Sequence, residues 1–396
     1  MAASPVPSAG HHRGSAEDEQ ARDVEDAIVR RVAEGAAEWF PQVRTGGAPR
    51  LRRLVVRPRA ALYAVHLDES PVPHVLAKLR RDAPGDVTGR WAGTRPRLAT
   101  GPLPTSETAA LEFRGLSAIS AMIEPDDPEL TAVRPLALLP DADTILMDYV
   151  EADTLRDRML GRSRLPLARP GWRRGPEDGQ WQQVGAWLRR YQQTMPTTEV
   201  PARQARREEV VERITAYGEY LGARLGHRAV GDIARRGAEL ASAVLPERLP
   251  LAVVHGDFAP RNVFVFPDGR SAVFDPMPRS AAPRFDDLAA ALVAMRLLGV
   301  QLHTRGAAFS RQDLARRERE LIDGYFGDEQ PALAELHCYQ LLLTLDRWSA
   351  LVEERPAGAR GQLRRMSVRW ASGFLRGEAG RLADLVERET AGPLPR

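Results

Sequence analysis

The stretch Leu251-Ala-Val-Val-His255-Gly256-Asp257-Phe258-Ala259-Pro260-Arg261-Asn262-Val-Phe-Val-Phe266, closed by Pro267-Asp268-Gly269 and Ser271-Ala-Val-Phe-Asp275, decides how this chain is read. An apolar run brings His-Gly-Asp into a loop, and Asn262 follows where a second apolar run begins. Proline, aspartate and glycine then turn the chain back. The returning run ends on Asp275. Strands joined in this way place Asp257, Asn262 and Asp275 at the mouth of one hairpin, three oxygen-bearing side chains converging. Phosphoryl transfer uses such a set. One carboxylate positions or deprotonates the attacking hydroxyl, while an amide oxygen and a second carboxylate hold Mg²⁺ against the nucleotide phosphates. An Asx-rich turn explains an isolated His-Gly-Asp, but not the strand, turn and final aspartate that follow it here.

Composition limits the alternatives. The chain has 396 residues, 43% apolar and 28% charged, with a formal net charge of +3. That is the profile of an ordinary globular protein of two or three domains. Acidic and basic residues are interspersed and aromatics make up 6%; with no clustered basic stripe, no nucleic-acid partner is expected. No apolar run reaches the roughly 18 residues of a membrane span, and residues 1–35 lack the apolar centre of a secretory signal. A cytoplasmic protein is expected. The single cysteine, Cys338, excludes an internal disulfide framework and reads as a buried, inert thiol. Of the 56 Lys and Arg residues only Lys78 is lysine, and Asn262 is the one asparagine. The oligomeric state is not legible.

Along the chain, residues 1–24 are polar and read as a disordered tail. Ala27–Phe40 reads as a short amphipathic helix. Leu51–Arg57 and Ala60–Leu67 are β-rich runs joined by a tight turn at Arg57-Pro58-Arg59, and His74–Leu79 is a third strand. A long loop, Pro84–Ser106, precedes a helix at Glu107–Ile123 and strands at Thr131–Leu139 and Thr144–Tyr149. After Val150 helical periodicity dominates. Trp181, Val184, Leu188, Tyr191 and Met195 form one buried stripe, and further helices are expected over about 203–245, 284–299, 311–326, 331–354 and 359–389. The expected fold class is α+β: a small β-rich N-lobe at 25–150 and a larger, mostly α-helical C-lobe at 151–396.

His255-Gly256-Asp257-Phe258-Ala259-Pro260-Arg261-Asn262, with Val273-Phe274-Asp275 after it, is similar to the aminoglycoside phosphotransferase/choline kinase family, within the bilobal protein-kinase-like fold. Arg284-Phe285-Asp286-Asp287-Leu288-Ala289 resembles the start of that family's Asp-Leu-Ala helix. The order of elements matches over roughly 50–390, the residues closely only over about 251–290. The resemblance implies that Asp257 is the catalytic base or hydroxyl-positioner and that Asn262 and Asp275 are Mg²⁺ ligands. It makes Asp287 a brace for the loop and His255 a packed, loop-shaping residue.

The resemblance also implies a lysine on the third strand paired with a helical glutamate. Lys78, in His74-Val-Leu-Ala-Lys78-Leu, stands at that place and would hold the α- and β-phosphates. Glu112 is its expected partner, with Glu107 the fallback. Thr144-Ile-Leu-Met147-Asp148-Tyr149-Val150 resembles the hinge strand whose backbone binds adenine, with Met147, Asp148, Tyr149 and Val150 the implied nucleotide contacts. One departure is the nucleotide-covering turn, here Arg57-Pro58-Arg59-Ala60-Ala61 without glycine. Either the arginines supply phosphate contacts or the turn binds nucleotide weakly.

Substrate choice falls to the helical regions 153–249 and 300–390. Arg162, Arg164, Arg169, Arg173 and Arg174 stand in a stretch without an acidic residue. That points away from a polycationic aminoglycoside and toward a neutral or anionic hydroxylated small molecule: a sugar, nucleoside-type compound, antibiotic or glycoconjugate precursor. A protein substrate would need an activation segment, and Pro276–Asp287 is too short for one. The alternative is a catalytically weak or dead kinase-like binding module.

Overall fold

The computed structural model describes residues 12–43, 47–81, 95–96, 103–164, 179–226, 228–353 and 359–391. The chain divides into two compact units, one of Met1–Val87, Leu103–Arg114 and Val133–Val150, the other of Thr88–Pro102, Gly115–Ala132 and Glu151–Arg396. The N-terminal region is built on a β-sheet and the C-terminal part is mostly helical, the mixed architecture expected.

The first unit begins with α1 (His12–Trp39), β1 (Arg50–Arg57), β2 (Ala60–His66) and β3 (Val75–Arg80). Helix α2 (Thr105–Met122), which belongs to this unit up to Arg114, β4 (Pro135–Leu139) and β5 (Thr144–Asp148) follow. The strands make one antiparallel sheet in the order β1-β2-β3-β5-β4. Because side chains alternate along a strand, Tyr63, Val65, Val75 and Ala77 share a face, and they form a core with Ile28, Val32, Ala36 and Trp39 of α1. Those four recur at helical spacing, a single apolar stripe laid on the sheet. Lys78 and Arg80 project from the other face of β3, toward α2. Pro58 and Arg59 close the β1–β2 hairpin, and neither has a positive φ.

Helix α1 is longer than expected. It opens at His12, so residues 12–24 are helical and not a tail; residues 1–11 lie outside the described residues. The segment Ala16-Glu-Asp-Glu-Gln-Ala21 is polar but rich in good helix formers, and Val24 at its end packs on the same core. Strand β4 is shorter than expected, since Thr131 donates its N–H to the Ser271 carbonyl in the second unit. The Pro84–Ser106 loop falls mostly outside the described residues.

The second unit contains β6 (Asp153–Thr154), α3 (Leu155–Gly161), α4 (Gln180–Thr194), α5 (Arg207–Leu225) and α6 (Arg228–Val244). Next come β7 (Leu251–Val253), β8 (Val263–Val265), β9 (Ser271–Val273), β10 (Ala281–Pro283) and α7 (Asp286–Arg296). The chain ends with α8 (Gly299–His303), α9 (Arg311–Phe326), α10 (Leu333–Glu353) and α11 (Ala359–Thr390). Strand β8 lies between β6 and β9, and β7 pairs with β10. The expected helix over 203–245 is two helices, because Gly226 takes φ 68 and closes α5 in a left-handed cap.

The core of this unit includes the expected stripe of Trp181, Val184, Leu188 and Tyr191, with Met195 packed at its edge and Trp187 added from the adjacent face. Helices α4 and α9 touch through glycines. A Cβ on Gly185 would strike the Leu321 carbonyl oxygen, and one on Gly324 would strike that of Gln182. Cys338 is buried on α10, and burial pushes its thiol up to about 12, so no thiolate forms near neutral pH. Among the described residues no helix is long and apolar enough to cross a membrane.

Candidate active site

Strand β7 carries the chain through Val254 into the loop His255–Asn262. Gly256 has φ 83, and a Cβ there would meet the Met277 carbonyl oxygen. Only glycine suits that backbone. The Met277 N–H donates to the His255 carbonyl at 2.6 Å, which ties the loop to the segment after β9.

Asp287, in the first turn of α7, holds the loop from behind. Its buried carboxylate accepts the N–H of His255 at 2.5 Å and that of Gly256 at 3.1 Å. Burial and the adjacent Asp286 push Asp287 up to about 7, against the two N–H donors that favour its charged form. Asp286 is itself paired with Arg203 at 3.0 Å.

The His255 ring is fully buried among Trp187, Tyr191 and Phe258, with centroids 5.9, 6.1 and 5.9 Å away. Its Nδ1 faces the Asp257 N–H at 3.4 Å, and Nε2 is buried without a hydrogen bond. Desolvation lowers its pKa to about 4. The ring is thus sealed in the core in its neutral form.

Asp257 and Asn262 face each other across the loop. The Asn262 Nδ2 donates to the Asp257 main-chain oxygen and to Oδ2, each at 2.8 Å. Arg261 pairs with the other carboxylate oxygen of Asp257. The Asn262 carbonyl accepts the N–H of Phe274 at 3.0 Å, which joins the loop to the strand leading into Asp275. Phe264 and Phe274 stack with centroids 4.1 Å apart and brace the two strands. Asp275 has φ 61, a left-handed conformation that Asp tolerates better than most residues.

These residues suit a hard divalent cation. Both Asn262 amide hydrogen bonds go to Asp257, so Oδ1 is the side chain's oxygen donor toward a metal. Among the described residues no cluster of three His, Cys, Asp or Glu could bind one. A cation on this loop would rest on Asn262 and Asp275 with water and phosphate oxygens, the sparse protein ligation that Mg²⁺ accepts.

In the first unit, Lys78 Nζ donates to Glu112 Oε1 at 2.7 Å. Glu112 is 1% exposed, whereas Glu107 lies exposed in the first turn of α2. Arg80 meets the second oxygen of Glu112 through Nε at 2.9 Å and through its terminal nitrogen. One buried carboxylate thus bridges two cations. In the Met147–Val150 segment, Met147 is buried and Asp148 pairs with Arg134 at 3.1 Å. The Asp148 N–H goes to the Arg134 carbonyl and the Tyr149 N–H to that of His74.

Arg80 and Arg261 are the site residues that sequence reasoning missed. Both had a signal: Arg80 is two residues beyond Lys78 on one strand face, and Arg261 follows Asp257 in the same short loop. Of the five arginines expected to mark the acceptor region, Arg162 and Arg164 lie exposed after α3; Arg169, Arg173 and Arg174 fall outside the described residues.

No curated protein matches the sequence. Among solved structures, a choline/ethanolamine kinase family protein from Mesorhizobium loti is similar at 13% identity and a TM-score of 0.49, covering 91% of this chain and 99% of that one. A spectinomycin phosphotransferase, solved with ADP and spectinomycin, is similar at 12% and 0.48, covering 92% and 98%. A choline kinase from Streptococcus pneumoniae is similar at 13% and 0.45, covering 89% and 99%. The model of the phosphotransferase enzyme family matches residues 166–322, the segment that carries the loop, both of its strands and Asp287. It is this family that the chain resembles in sequence, at the residues where its side chains converge.

Proposed function

We propose that the protein transfers the γ-phosphate of ATP, with Mg²⁺, to a hydroxyl of a small molecule. The observation that carries the reading is the Asn262 amide spent on Asp257, which fixes a carboxylate and an amide oxygen in one rigid loop. In this reading Asp257 aligns the acceptor hydroxyl and takes its proton. Arg261 and Asn262 hold that carboxylate in place, Asp287 holds the loop, and His255 fills the space behind it. Asn262 and Asp275 would hold Mg²⁺, which neutralises phosphate charge when bound.

The region 25–150 serves the nucleotide and 151–396 the acceptor and the chemistry. Lys78 would engage the α- and β-phosphates with Glu112 fixing its direction, and Arg80 adds a second positive charge beside it. That charge suits a chain whose covering turn has arginines in place of glycine. With the Asp148 and Tyr149 N–H groups already used, reading of the adenine edge falls to the N–H of Val150.

The test is Mg·ATP turnover against a panel of hydroxylated small molecules. Asp257→Asn should bind ATP normally and lose about 10² to 10⁴ in rate. A rate within a few-fold of wild type would refute the role of Asp257. ATP binding with no transfer to any acceptor would favour a binding module.

A further inference from the structure

The geometry points to an anionic acceptor: a hydroxylated small molecule carrying a phosphate ester or carboxylate, held in a cavity of the second unit that borders the catalytic loop. This inference rests on the phosphotransfer reading and narrows it to a substrate class.

The cavity measures about 180 Å³ and is lined by Ala259, Pro260 and Arg261 of the loop, by Arg156 and Met159 of α3, by the C-terminal end of α7 and by Arg347 of α10. Arg261 also pairs with Asp257, so a molecule in the cavity lies one side chain from the proposed base. Three arginines from three separate elements line this space, and no acidic side chain is among its described lining residues. Arg347 makes no ion pair with a described residue, and Arg156 has only a 3.9 Å contact with Asp157. Their charge is therefore available to a ligand. The rest of the wall is apolar, with Met159, Val293, Leu297 and Leu298, a surface for the carbon skeleton.

A cationic acceptor would meet the unpaired charge of Arg347 and the weakly paired charge of Arg156, with no carboxylate in the lining to receive it, at a cost that grows as water leaves. A phosphate or carboxylate would gain charge-assisted, bidentate hydrogen bonds of the kind guanidinium groups form. The volume falls below the roughly 300–1,000 Å³ of drug-sized ligand pockets, so a small acceptor fits better than an oligosaccharide antibiotic. The arginines that do this work are not those of the 162–174 stretch.

Binding and turnover separate the two readings. Phenyl phosphate, benzoate, benzyl alcohol and benzylamine are titrated calorimetrically into the full chain without nucleotide, and into Arg156→Gln, Arg347→Gln and Lys78→Met. The inference expects an anionic probe to bind, the amine not to bind, and each arginine variant to weaken the anion by about tenfold or more, the loss of one charge-assisted hydrogen bond. Phenyl phosphate binding more tightly than benzoate identifies a phosphate ester, and the reverse order a carboxylate. Lys78→Met should leave this binding in place. Absence of anion binding, binding unchanged in both arginine variants, binding lost with Lys78→Met alone, or preference for the amine would each overturn the inference. If anions bind as expected but hexose phosphates and uronic acids receive no phosphate from Mg·ATP, the cavity stands and the phosphotransfer reading fails.

Discussion

Asp287 receives the main-chain N–H of His255 at 2.5 Å and so fixes, from the start of α7, the backbone that presents Asp257. Replacing it with Asn swaps one acceptor oxygen for an NH₂ group facing an N–H donor. The buried donor left unsatisfied should cost about 1–3 kcal/mol of stability. The turnover rate should fall while the KM for ATP changes little, because the loop is displaced and the nucleotide contacts are not. Denaturant melts and steady-state kinetics check both; a variant that loses stability alone would make Asp287 a purely structural brace.

Glu112 holds both Lys78 and Arg80. Glu112→Gln leaves two cations around a neutral amide at a buried position, and removing one partner of a buried pair costs about 3–5 kcal/mol. Arg80→Gln should cost less, since Lys78 still neutralises the carboxylate. Urea denaturation ranks the two. In the kinetic readout, Glu112→Gln should raise the KM for ATP more than Arg80→Gln does, and the opposite order would make Arg80 the main phosphate contact.

Two buried histidines make the fold acid-sensitive. His255 and His337 are both lowered by burial to about 4, whereas an unfolded chain protonates histidine near 6.5. As pH falls from about 6.5 toward 4 the unfolded state takes up protons that the folded state refuses, and stability is lost. Asp287, raised to about 7, acts oppositely: it binds its proton in the folded state first and gains stability as pH falls from 7 toward 4. His337 lies on α10, away from the loop, facing the positive charges of Arg296, Arg381 and Arg388. His337→Gln should therefore reduce the slope of stability against pH in that window by about 1.4 kcal/mol per pH unit, one proton's worth. Equal slopes in wild type and variant would contradict the assignment.

Gly324 sits against the Gln182 carbonyl where α9 meets α4. Gly324→Ala would gain helix propensity on an isolated helix, yet overpacking against backbone should outweigh it and destabilise by about 1–3 kcal/mol or more. Gly377, on α11 with open space around the same position, provides the control, since Gly377→Ala should be neutral or stabilising. Thermal melts of the two variants distinguish them.

The hairpin of the loop was legible because its signals are local: an apolar run, a Pro-Asp-Gly turn, a second run and three oxygen-bearing residues at short spacing. Lys78 and Glu112 were legible for a different reason. The resemblance implied a lysine on the third strand with a helical glutamate as its partner, and in a chain with one lysine only Lys78 could stand there. Arginine had no such contrast. With 56 basic residues of which one is lysine, nearness to Lys78 and to Asp257 is the one mark on Arg80 and Arg261, nothing in the sequence marks Arg347, and packing alone brings them to a carboxylate or a cavity. Trp187 was missed because it lies beside the stripe that periodicity selects, and the break at Gly226 because flanking apolar residues keep helical spacing across it.

The Lys78 ammonium, 12% exposed and held by Glu112, is the single side-chain amine in the sequence. An acylating reagent thus has one lysine to find, and a lysine-specific protease one bond to cut, within the sheet beside the proposed nucleotide contacts. Acylation followed by digestion then becomes a one-residue measurement: with the chain's α-amine counted on its own peptide, the mass shift at Lys78 gives the fraction of molecules whose third strand is open to solvent.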